Sequence, residues 1–560
     1  MYHQLLGKYW GFTSFRPLQE QIIHAVCAGK DTLGLMPTGG GKSITFQVAA
    51  LTMKGVCLVI TPLIALMEDQ VGNLRRLGIQ ASCIHSGMSS SEITQELVRC
   101  TQGHTKFLYV SPERLTSEAF KSKLRLMDIC LLVVDESHCI SQWGYDFRPA
   151  YLHIADIRSL FPQAPVLALT ATATPTVCDE IQSRLLFKEK HLLRTSFIRP
   201  NLSYTVRRTE NKLYTLLYIL NRVPGTAIVY ARNRKLTKEV ALYLQQAGIS
   251  ANYFHAGLTQ EEKNRRQTLW KQDQCRVIVA TNAFGMGIDK PNVRLVVHLD
   301  MPGSLEEYFQ EAGRAGRDEQ KAYAVALCSS TDNARLENRV AEEYPERAFI
   351  KQLYETLCLH YQISEGEGAG SIHHFSLVDF CTDHQLYPLQ VHAALKLLEL
   401  SDYIEYQEEQ NETVHPVPSQ IIYLQPRVRK RDLLIPASIY EERISRTEQR
   451  IKKVLEYLDS ERICRQRLLL SYFGEQATAD CGCCDNCLSH KEEVLTDQEF
   501  NAIRSLLVAR LSQQPAIALP KLTESLPFPT EKVIQVIRFL VDHENDRFQL
   551  EAGEIRLKTR

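Results

Sequence analysis

A net charge and a long apolar run are both missing from this sequence of 560 residues. Its 65 basic and 65 acidic residues cancel, so any binding of nucleic acid must depend on local surfaces. The apolar runs, of which 129–134 is typical, are far too short to cross a bilayer. Residues 1–8 show no apolar core followed by a cleavage site. We therefore expect a soluble intracellular protein without membrane contact, and the hydrophobic content of 44% argues against wholesale disorder.

The stretch Met36-Pro-Thr-Gly-Gly-Gly-Lys-Ser43 predicts a phosphate-binding loop, because it lies between a strand-like run (32–36) and a helix-like segment (44–51). Glycines let the backbone turn its amides around phosphate oxygens, at the positive end of the helix dipole. Lys42 would neutralise the β- and γ-phosphates, and the hydroxyl of Ser43 would join a Mg²⁺ shell. A plain glycine turn with an incidental lysine is the alternative. The candidate phosphate contacts are Thr38, Gly39, Gly40, Gly41, Lys42 and Ser43.

Phe12, Arg16 and Gln19 lie just ahead of this loop. The amide of Gln19 can donate and accept hydrogen bonds at once, as adenine recognition requires, while Phe12 and Arg16 can stack on the base. The trio therefore predicts an adenine site. Packing of the aromatic residues at the start of a helix explains the same pattern about as well.

Short β-rich runs alternate with helical patterns after the loop, which predicts a parallel sheet with helices on both faces. These runs cover 56–61, 81–85, 107–111, 131–135 and 166–170. Ligands bind at the carboxyl ends of such strands, and Asp135-Glu-Ser-His138 directly follows one of them. Asp135 would hold Mg²⁺, and Glu136 would orient or deprotonate an attacking water. Asp-Glu pairs at strand ends are also common without such a role.

A second alternation of strands and helices, over 201–328, predicts a second sheet of the same class. Two polar stretches stand out in it, 281–289 and 310–317. In the latter, Arg314 and Arg317 have the spacing that places two side chains on one face of a helix. They can then reach across a cleft to the γ-phosphate, as arginine fingers do. Ordinary surface salt bridges are the alternative.

Residues 350–440 combine helices and two strand-like runs in the order of a winged helix. The basic stretch 427–431 follows, and it would meet either a phosphate backbone or only solvent. A long helix is predicted over 440–465 from its charge-laced apolar periodicity. Residues 499–560 repeat a winged-helix order, with three helices and a terminal hairpin.

Eleven of the 16 cysteines are scattered singly and are expected to behave as small buried hydrophobes. The other five lie between 464 and 487. Three of these have two residues between successive members, and a fourth lies upstream, which predicts a structural Zn²⁺ site. The predicted ligands are Cys464, Cys481, Cys484 and Cys487. An iron–sulfur cluster is the minor alternative, Cys483 is left over, and His490 is a spare candidate ligand.

These motifs occur together in the RecQ family of superfamily 2 helicases, which this sequence resembles. The match is specific over 1–330 and 440–490 and only architectural elsewhere. Zinc cysteines normally follow the motor closely in that family, whereas here a domain-sized stretch intervenes. The resemblance is carried by Phe-Arg-Pro-Leu-Gln19, Pro-Thr-Gly-Gly-Gly-Lys-Ser43, Thr61-Pro-Leu-Ile-Ala-Leu-Met-Glu-Asp-Gln70, Asp-Glu-Ser-His138, Ser141-Gln-Trp-Gly-Tyr-Asp-Phe-Arg-Pro149 and Thr170-Ala-Thr-Ala-Thr174.

The resemblance implies an ATP-dependent DNA helicase that moves 3′ to 5′ on single-stranded DNA in recombination and repair. It implies ATP, Mg²⁺ and Zn²⁺ as cofactors, single-stranded and partially duplex DNA as partners, and a cytoplasmic, chromosome-associated location. It also implies that Asp289 and Gln310 approach the nucleotide. A buried aromatic cluster is the alternative for the loop around Trp143. The residues implied in sensing DNA and in coupling are His138, Trp143, Phe147, Arg148, Thr170 and Thr172.

The expected fold is α/β, with two tandem RecA-like parallel-sheet lobes followed by winged-helix-like segments and a small helical zinc-binding subdomain. An RNA-remodelling ATPase and a non-catalytic DNA-binding regulator are the rival functions. The expected domains are lobe 1 (1–200), lobe 2 (201–345), a winged-helix-like insertion (346–435), the zinc-binding subdomain (436–492) and a C-terminal winged-helix-like domain (493–560).

Overall fold

The computed structural model describes residues 1–37, 39–85, 88–144, 146–285, 290–407, 419–493, 497–544, 547–551 and 553–557. The chain divides into two compact units: residues 1–460 with 468–477, and residues 461–467 with 478–560. Across the described ranges, no helix is both long and apolar enough to span a membrane.

The first lobe is built on a seven-stranded sheet. Strands β1–β7 cover Thr32–Leu35, Val56–Ile60, Ala81–Ile84, Phe107–Val110, Ile129–Val134, Val166–Thr170 and Leu192–Arg194. Helices α1–α8 cover Tyr2–Trp10, Gln19–Cys27, Lys42–Thr52, Ile64–Arg76, Ser90–Thr101, Glu118–Leu124, Ile154–Leu160 and Pro175–Arg184. Short 3₁₀ helices cover Pro112–Thr116, Ser137–Ile140 and Pro149–His153.

All neighbouring strands of this sheet run parallel, in the order β3-β4-β2-β5-β6-β1-β7. The near-continuous apolar sequence of these strands reflects burial on both faces. Val26 and Phe46 pack against one face, and Leu124 and Ile157 pack against the other. The predicted strands are confirmed to within two residues at each end, and the edge strand β7, which is short and partly exposed, was not predicted.

The second lobe has a six-stranded parallel sheet, which confirms the predicted pair of parallel-sheet lobes. Strands β8–β13 cover Leu202–Arg208, Thr226–Tyr230, Ala251–Phe254, Val277–Ala280, Val293–His298 and Ala322–Cys328. Helices α9–α13 cover Lys212–Arg222, Arg234–Gln246, Gln260–Lys271, Leu305–Ala312 and Asp332–Glu343. The strand order is β10-β11-β9-β12-β13-β8.

The segment after lobe 2 has the winged-helix-like arrangement that the sequence predicts. Helices α14–α16 cover Arg347–His360, Leu377–Asp383 and Pro388–Leu400, and strands β14–β16 cover Ile372–His374, Ile404–Gln407 and Gln420–Tyr423. The strands form an antiparallel sheet in the order β14-β16-β15. Helix α16 packs against α14, α15 and β15 within this segment and against α13 of lobe 2.

The long helix predicted over 440–465 is shorter in the structure. It is α17, Glu441–Asp459, and a separate helix α18 covers Arg465–Tyr472. The prediction was wrong at its C-terminal end because Ser460 takes an extended conformation, with ψ of 121°. Cys464 therefore lies outside α17.

The C-terminal segment, within the second unit, is a second winged-helix-like arrangement. Helices α19–α22 cover Asp485–Glu493, Asp497–Gln513, Leu519–Glu524 and Thr530–His543, and strands β17–β19 cover Ala516–Ala518, Phe548–Glu551 and Glu554–Leu557. The strands form an antiparallel sheet in the order β17-β19-β18, around a core that includes Leu507, Val536 and Ile555. The terminal hairpin was predicted, whereas β17 was not.

Candidate active site

The predicted phosphate loop lies at the carboxyl end of β1, between that strand and α3. The backbone N–H of Met36 donates to the carbonyl of Thr170 (3.0 Å), which ties the loop to the neighbouring strand β6. Gly39 and Gly41 have φ values of 81° and 75°, a region that suits glycine. Helix α3 begins at Lys42, so the loop meets the positive end of the helix dipole. Thr38, also predicted here, lies outside the described residues.

Lys42 and Glu136 form an ion pair at this site, with Nζ 3.3 Å from Oε1. Burial raises the pKa of Glu136, but Lys42 and then His138 outweigh it, so the net pKa is below the ordinary value. Glu136 also has a left-handed backbone (φ 46°), which is costly for a residue with a side chain and is often found at functional sites. The pair therefore holds a carboxylate, ionised and oriented, next to the phosphate loop.

Asp135 lies directly after β5 and is almost fully buried. Burial raises its pKa to about 6; Lys42 opposes this shift and Glu136 adds to it. One carboxylate oxygen accepts the backbone N–H of Glu136 (3.0 Å), and the backbone carbonyl of Asp135 accepts the hydroxyl of Tyr151 (3.0 Å). Buried carboxylate oxygen is a donor type that suits Mg²⁺, so the residue fits the predicted metal role.

Ser43 belongs to a hydrogen-bond network that the sequence analysis did not identify. The amide of Gln70 on α4 donates to the Ser43 hydroxyl (2.8 Å), and the Gln70 carbonyl oxygen accepts the hydroxyl of Tyr109 (2.9 Å). Gln70 lies in one of the motifs that carry the family resemblance, but its spacing from Ser43 in sequence gave no sign of this contact. The network orients the hydroxyl that was predicted to bind Mg²⁺.

The predicted adenine trio is only partly free to meet a base. Gln19 is buried; its amide donates to the carbonyls of Gly40 (3.2 Å) and Gly41 (3.0 Å), and its oxygen accepts the N–H of Arg16 (2.9 Å). The guanidinium of Arg16 donates to the carbonyl of Gly39. Phe12 is 54% exposed. Two of the three residues therefore brace the phosphate loop, and the adenine role stays a prediction.

Arg317 lies against the phosphate loop from the second lobe, and Arg314 of the same lobe is near enough to Glu136 to act on its charge. A methyl group on Gly39 would lie 3.1 Å from Cδ of Arg317, and the charge of Arg314 lowers the pKa of Glu136. The guanidinium of Arg314 donates to the carbonyl of Gly285 (2.5 Å), which fixes its direction. Both arginines therefore face the side of the first lobe that holds Lys42.

The prediction that both arginines share a helical face was wrong. Helix α12 ends at Ala312, and the chain continues through turns in which Gly316 has a φ of 64°. Glycines at 313 and 316 favour the end of a helix over its continuation. The two side chains converge because of these turns and not because of helical periodicity.

A series of polar contacts runs from Glu136 toward the second lobe, although the Glu136 oxygen nearest His138 has no hydrogen-bond partner among the described residues. Nδ1 of His138 lies 3.5 Å from the Glu136 carboxylate and 2.9 Å from the hydroxyl of Thr170. Burial lowers the pKa of His138, which favours the neutral ring. Gln310 of α12 donates to the hydroxyl of Thr172 (3.4 Å). Asp289, which was predicted to approach the ribose or a bridging arginine, lies outside the described residues.

The aromatic loop, residues 141–148, is not a buried cluster. Trp143 is 44% exposed. Arg148 pairs with Asp146 (3.2 Å) and also donates to the carbonyl of Pro62 (3.4 Å). Phe147 is half-buried. Trp143 is therefore accessible for stacking, as the resemblance implies.

The four predicted metal ligands come together in the second unit. Their sulfur atoms, from Cys464, Cys481, Cys484 and Cys487, all lie within 4.8 Å of one another. Backbone N–H groups of the loop donate to the sulfurs, as from Cys484 to Cys481 (3.3 Å). Hydrogen bonds from neighbouring thiols, Cys481 first, hold the pKa of Cys464 far below its usual value, while that of Cys487 is raised to about 12 by burial.

The convergence of four sulfur atoms fits a site built for four thiolates around one cation. Cys483 is not a member of the cluster. The side chain of His490 lies outside the described residues. Arg465 and Asp485, 3.0 Å apart, brace the cluster from α18 and α19.

Three family models match successive parts of the chain: DEAD/DEAH box helicase over residues 16–181, helicase conserved C-terminal domain over 209–319, and RecQ zinc-binding over 427–488. The ATP-dependent DNA helicase RecQ of Pasteurella multocida is 39% identical over 387 residues, which cover 69% of this chain and 61% of that protein. RecQ of Bacillus subtilis is 43% identical over 331 residues, 59% of this chain and 56% of that protein.

The chain thus spans about three fifths of the length of these RecQ relatives. It spans more of another Bacillus subtilis protein, the probable ATP-dependent DNA helicase RecS, which is 35% identical over 392 residues, 66% of this chain and 78% of that protein. Because this relative is matched over most of its length and the zinc-binding model matches the segment that holds the four cysteines, the chain belongs to the RecQ family.

Proposed function

We propose that this protein is an ATP-dependent DNA helicase, which hydrolyses ATP between its two lobes, moves 3′ to 5′ on single-stranded DNA and unwinds duplex DNA. The observation that carries the proposal is the meeting of the Lys42–Glu136 pair with Arg314 and Arg317 at one loop. Phosphoryl transfer needs positioned positive charge and an oriented nucleophile more than covalent chemistry. These residues supply both, from two lobes.

Each residue has a defined role in this proposal. Lys42 and the loop amides hold the β- and γ-phosphates, and Ser43 and Asp135 hold Mg²⁺, which neutralises phosphate charge when bound. Glu136 accepts the proton of the attacking water. Arg314 and Arg317 stabilise the charge on the transferred phosphoryl group. Phe12, Arg16, Gln19, Asp289 and Gln310 bind the rest of the nucleotide.

The coupling of hydrolysis to DNA is assigned to the first lobe's remaining motifs. A base stacks on the exposed ring of Trp143, with Phe147 and Arg148 beside it, and stacking of this kind tolerates any sequence. His138 senses the charge of Glu136 at 3.5 Å, and hydrogen bonds from His138 to Thr170, from Thr170 to Thr172 and from Gln310 to Thr172 carry this to the second lobe. Closure of the lobes then changes the affinity of the protein for the DNA strand.

The four cysteines are assigned to one structural Zn²⁺. We divide the chain into the two helicase lobes (1–200 and 201–345), the winged-helix-like insertion (346–435), the zinc-binding subdomain (436–492) and the C-terminal winged-helix-like domain (493–560). Single-stranded and partially duplex DNA are the proposed partners. Recombination and repair on the chromosome, in the cytoplasm, is the proposed setting; polarity and setting rest on the family resemblance.

A strand-displacement assay tests this function. Duplexes with a 3′ or a 5′ single-stranded tail are incubated with the protein, with and without ATP, beside Glu136→Gln as the inactive control. We expect ATP-dependent displacement on the 3′-tailed duplex alone. Displacement from the 5′ tail contradicts the polarity, and stimulation of ATP hydrolysis by RNA but not by single-stranded DNA favours the RNA-remodelling alternative.

A further inference from the structure

Helix α17 presents three arginines to the aromatic loop. These are Arg443, Arg446 and Arg450, called here the arginine row. Successive members lie three and four residues apart, so they share one face of the helix. Lys452 lies nine residues from the first of them, on the opposite side, and is exposed. The row is therefore a local basic surface in a chain without net charge.

Each member of the row contacts the aromatic loop. The guanidinium of Arg446 lies 4.3 Å from the ring centre of Trp143 and donates to the carbonyl of Gln142 (3.3 Å). That of Arg443 lies 5.0 Å from the ring centre of Phe147. Arg450 donates to the carbonyls of Trp143 (2.6 Å) and Gly144 (2.8 Å). The row and the exposed Trp143 ring are thus parts of one surface.

The row carries more positive charge than its ion pairs among the described residues neutralise. Among the described residues, one member has a carboxylate at ion-pair distance: Arg446, 2.7 Å from Glu442. Asp146 faces the row but is paired with Arg148. Two further carboxyls, Glu343 and Glu306, lie near Arg450, and burial raises the pKa of each while Arg450 opposes the shift. Burial first, and then the like charges of Arg446 and Arg450, lower the pKa of Arg443.

A cavity of about 240 Å³ opens between the row and the loop. Its lining includes Asp146, Phe147, Tyr344 and all three arginines. Guanidinium groups around a polar recess are the usual arrangement for binding a phosphate. Aromatic rings beside cations are the usual arrangement for binding single strands, whose bases stack while their phosphates pair.

We propose that the arginine row binds a backbone phosphate of single-stranded DNA next to the base that stacks on Trp143. This inference rests on the proposed function, because it adds a phosphate subsite to the same DNA surface. Phosphate binding would also involve α17 in DNA sensing, because the phosphate would draw Arg443 and Arg450 away from their contacts with the aromatic loop. The ligand class is a phosphodiester, without regard to base sequence.

The salt dependence of DNA binding tests the subsite. The dissociation constant for a fluorescent single-stranded oligonucleotide is measured from 50 to 300 mM salt for the parent, Arg443→Gln, Arg450→Gln and the matched control Lys452→Gln. Each lost contact to a single strand lowers the slope of log K against log salt by about 0.7. We expect that loss in both row variants, with weaker binding on thymine-only and mixed sequences alike, and none in the control.

Arg443→Lys and thermal unfolding complete the test. The lysine variant keeps the charge and should keep the parent slope, whereas a variant that merely disturbs the loop would not be rescued in this way. If the row variants unfold at the same temperature as the parent and show the same slope of log K against log salt, the subsite is overturned but the helicase assignment is not. A parent that binds no single-stranded DNA overturns the proposed function and the subsite together.

Discussion

Nζ of Lys42 lies 3.3 Å from Oε1 of Glu136, and both side chains are largely buried, with 15% and 12% exposed. In the proposed mechanism the two groups have separate tasks: Lys42 binds phosphate and Glu136 accepts a proton. Removing one therefore leaves the other buried charge without its partner, and it removes one catalytic role at a time.

Glu136→Gln should lower DNA-stimulated ATP hydrolysis by at least about 10²-fold, the usual effect of losing a general base. Lys42→Ala should lower it by about 10²-fold or more, because it removes a positioned charge from the transferred phosphoryl group. Glu136→Gln keeps the shape of the site, so its affinity for ATP should stay close to that of the parent, whereas Lys42→Ala should also weaken ATP binding. Steady-state hydrolysis and nucleotide binding are measured separately, with DNA binding as a control for folding. Undiminished turnover in either variant would contradict the assignment.

Arg317→Ala should lower the rate of hydrolysis by about 10³-fold, as expected for an arginine finger, with a smaller effect on ATP affinity. The side chain packs on Gly39 from the second lobe, so it contributes only when the lobes meet. Arg335→Ala is the matched control, because Arg335 is 69% exposed and lies on the same lobe. Equal rates of ATP hydrolysis in Arg317→Ala and Arg335→Ala would show that Arg317 is not part of the active site.

The sequence predicted the sheets well because their strands are apolar almost throughout, as in Val166–Thr170, where every residue is buried. It predicted that Arg314 and Arg317 act together but not how they converge, since a turn at Gly316 depends on backbone conformation. The bond from Gln70 to Ser43 was not predictable, because it joins residues on separate helices whose proximity follows from the folded sheet. The same holds for the contacts of the arginine row with Trp143.

Cys484→Ser should destabilise the zinc-binding subdomain and lower bound zinc from about one equivalent toward zero, because metal binding is coupled to folding. Cys483→Ser is the matched control; it changes the adjacent thiol, which is not a member of the four-cysteine cluster. Metal content by mass spectrometry and thermal unfolding are measured on both. If Cys484→Ser retains zinc and unfolds at the same temperature as the parent, the metal site is elsewhere.

Glu307→Gln should stabilise the protein at alkaline pH and have little effect near pH 4.5. Burial, and then Glu311, raise the pKa of Glu307 to about 8, while Arg232 opposes the shift. The folded state therefore binds a proton that the unfolded state releases, and stability falls as pH rises from about 4.5 to 8.

Glutamine cannot ionise, so the difference in unfolding temperature between variant and parent should grow over that pH range and level off above it. Each unit of pKa shift is worth about 1.4 kcal/mol, or on the order of 2–4 °C for a domain of 150–250 residues. Thermal unfolding at pH 5, 7 and 8.5 measures the trend. A difference that is constant with pH would show that Glu307 ionises normally.

The winged-helix-like insertion, 346–435, should contribute little to DNA binding. It holds 13 acidic and 7 basic residues. Its helix α16, which occupies the position of a recognition helix, packs against α13, and none of residues 391–400 is exposed. Only the first turn of α16, residues 388–390, is exposed. The rest of the helix has no free face for a groove or a strand, so the fold is used here to extend lobe 2.

The basic stretch 427–431 is the one part of this insertion that the sequence offered for phosphate binding, and its charges are already engaged. Arg429 pairs with Glu365 (2.9 Å), Lys430 with Glu355 (3.7 Å) and Arg431 with Asp432 (3.7 Å). The double variant Arg429→Gln, Arg431→Gln should therefore lower the slope of log K against log salt by less than about 0.7, which is the value for a single lost phosphate contact. A drop of about 1.4, the value for two lost phosphate contacts, would instead place the DNA path over the insertion. Arg443→Gln, measured in the same series, separates a path over α17 from one over this module, because only one of the two surfaces should respond.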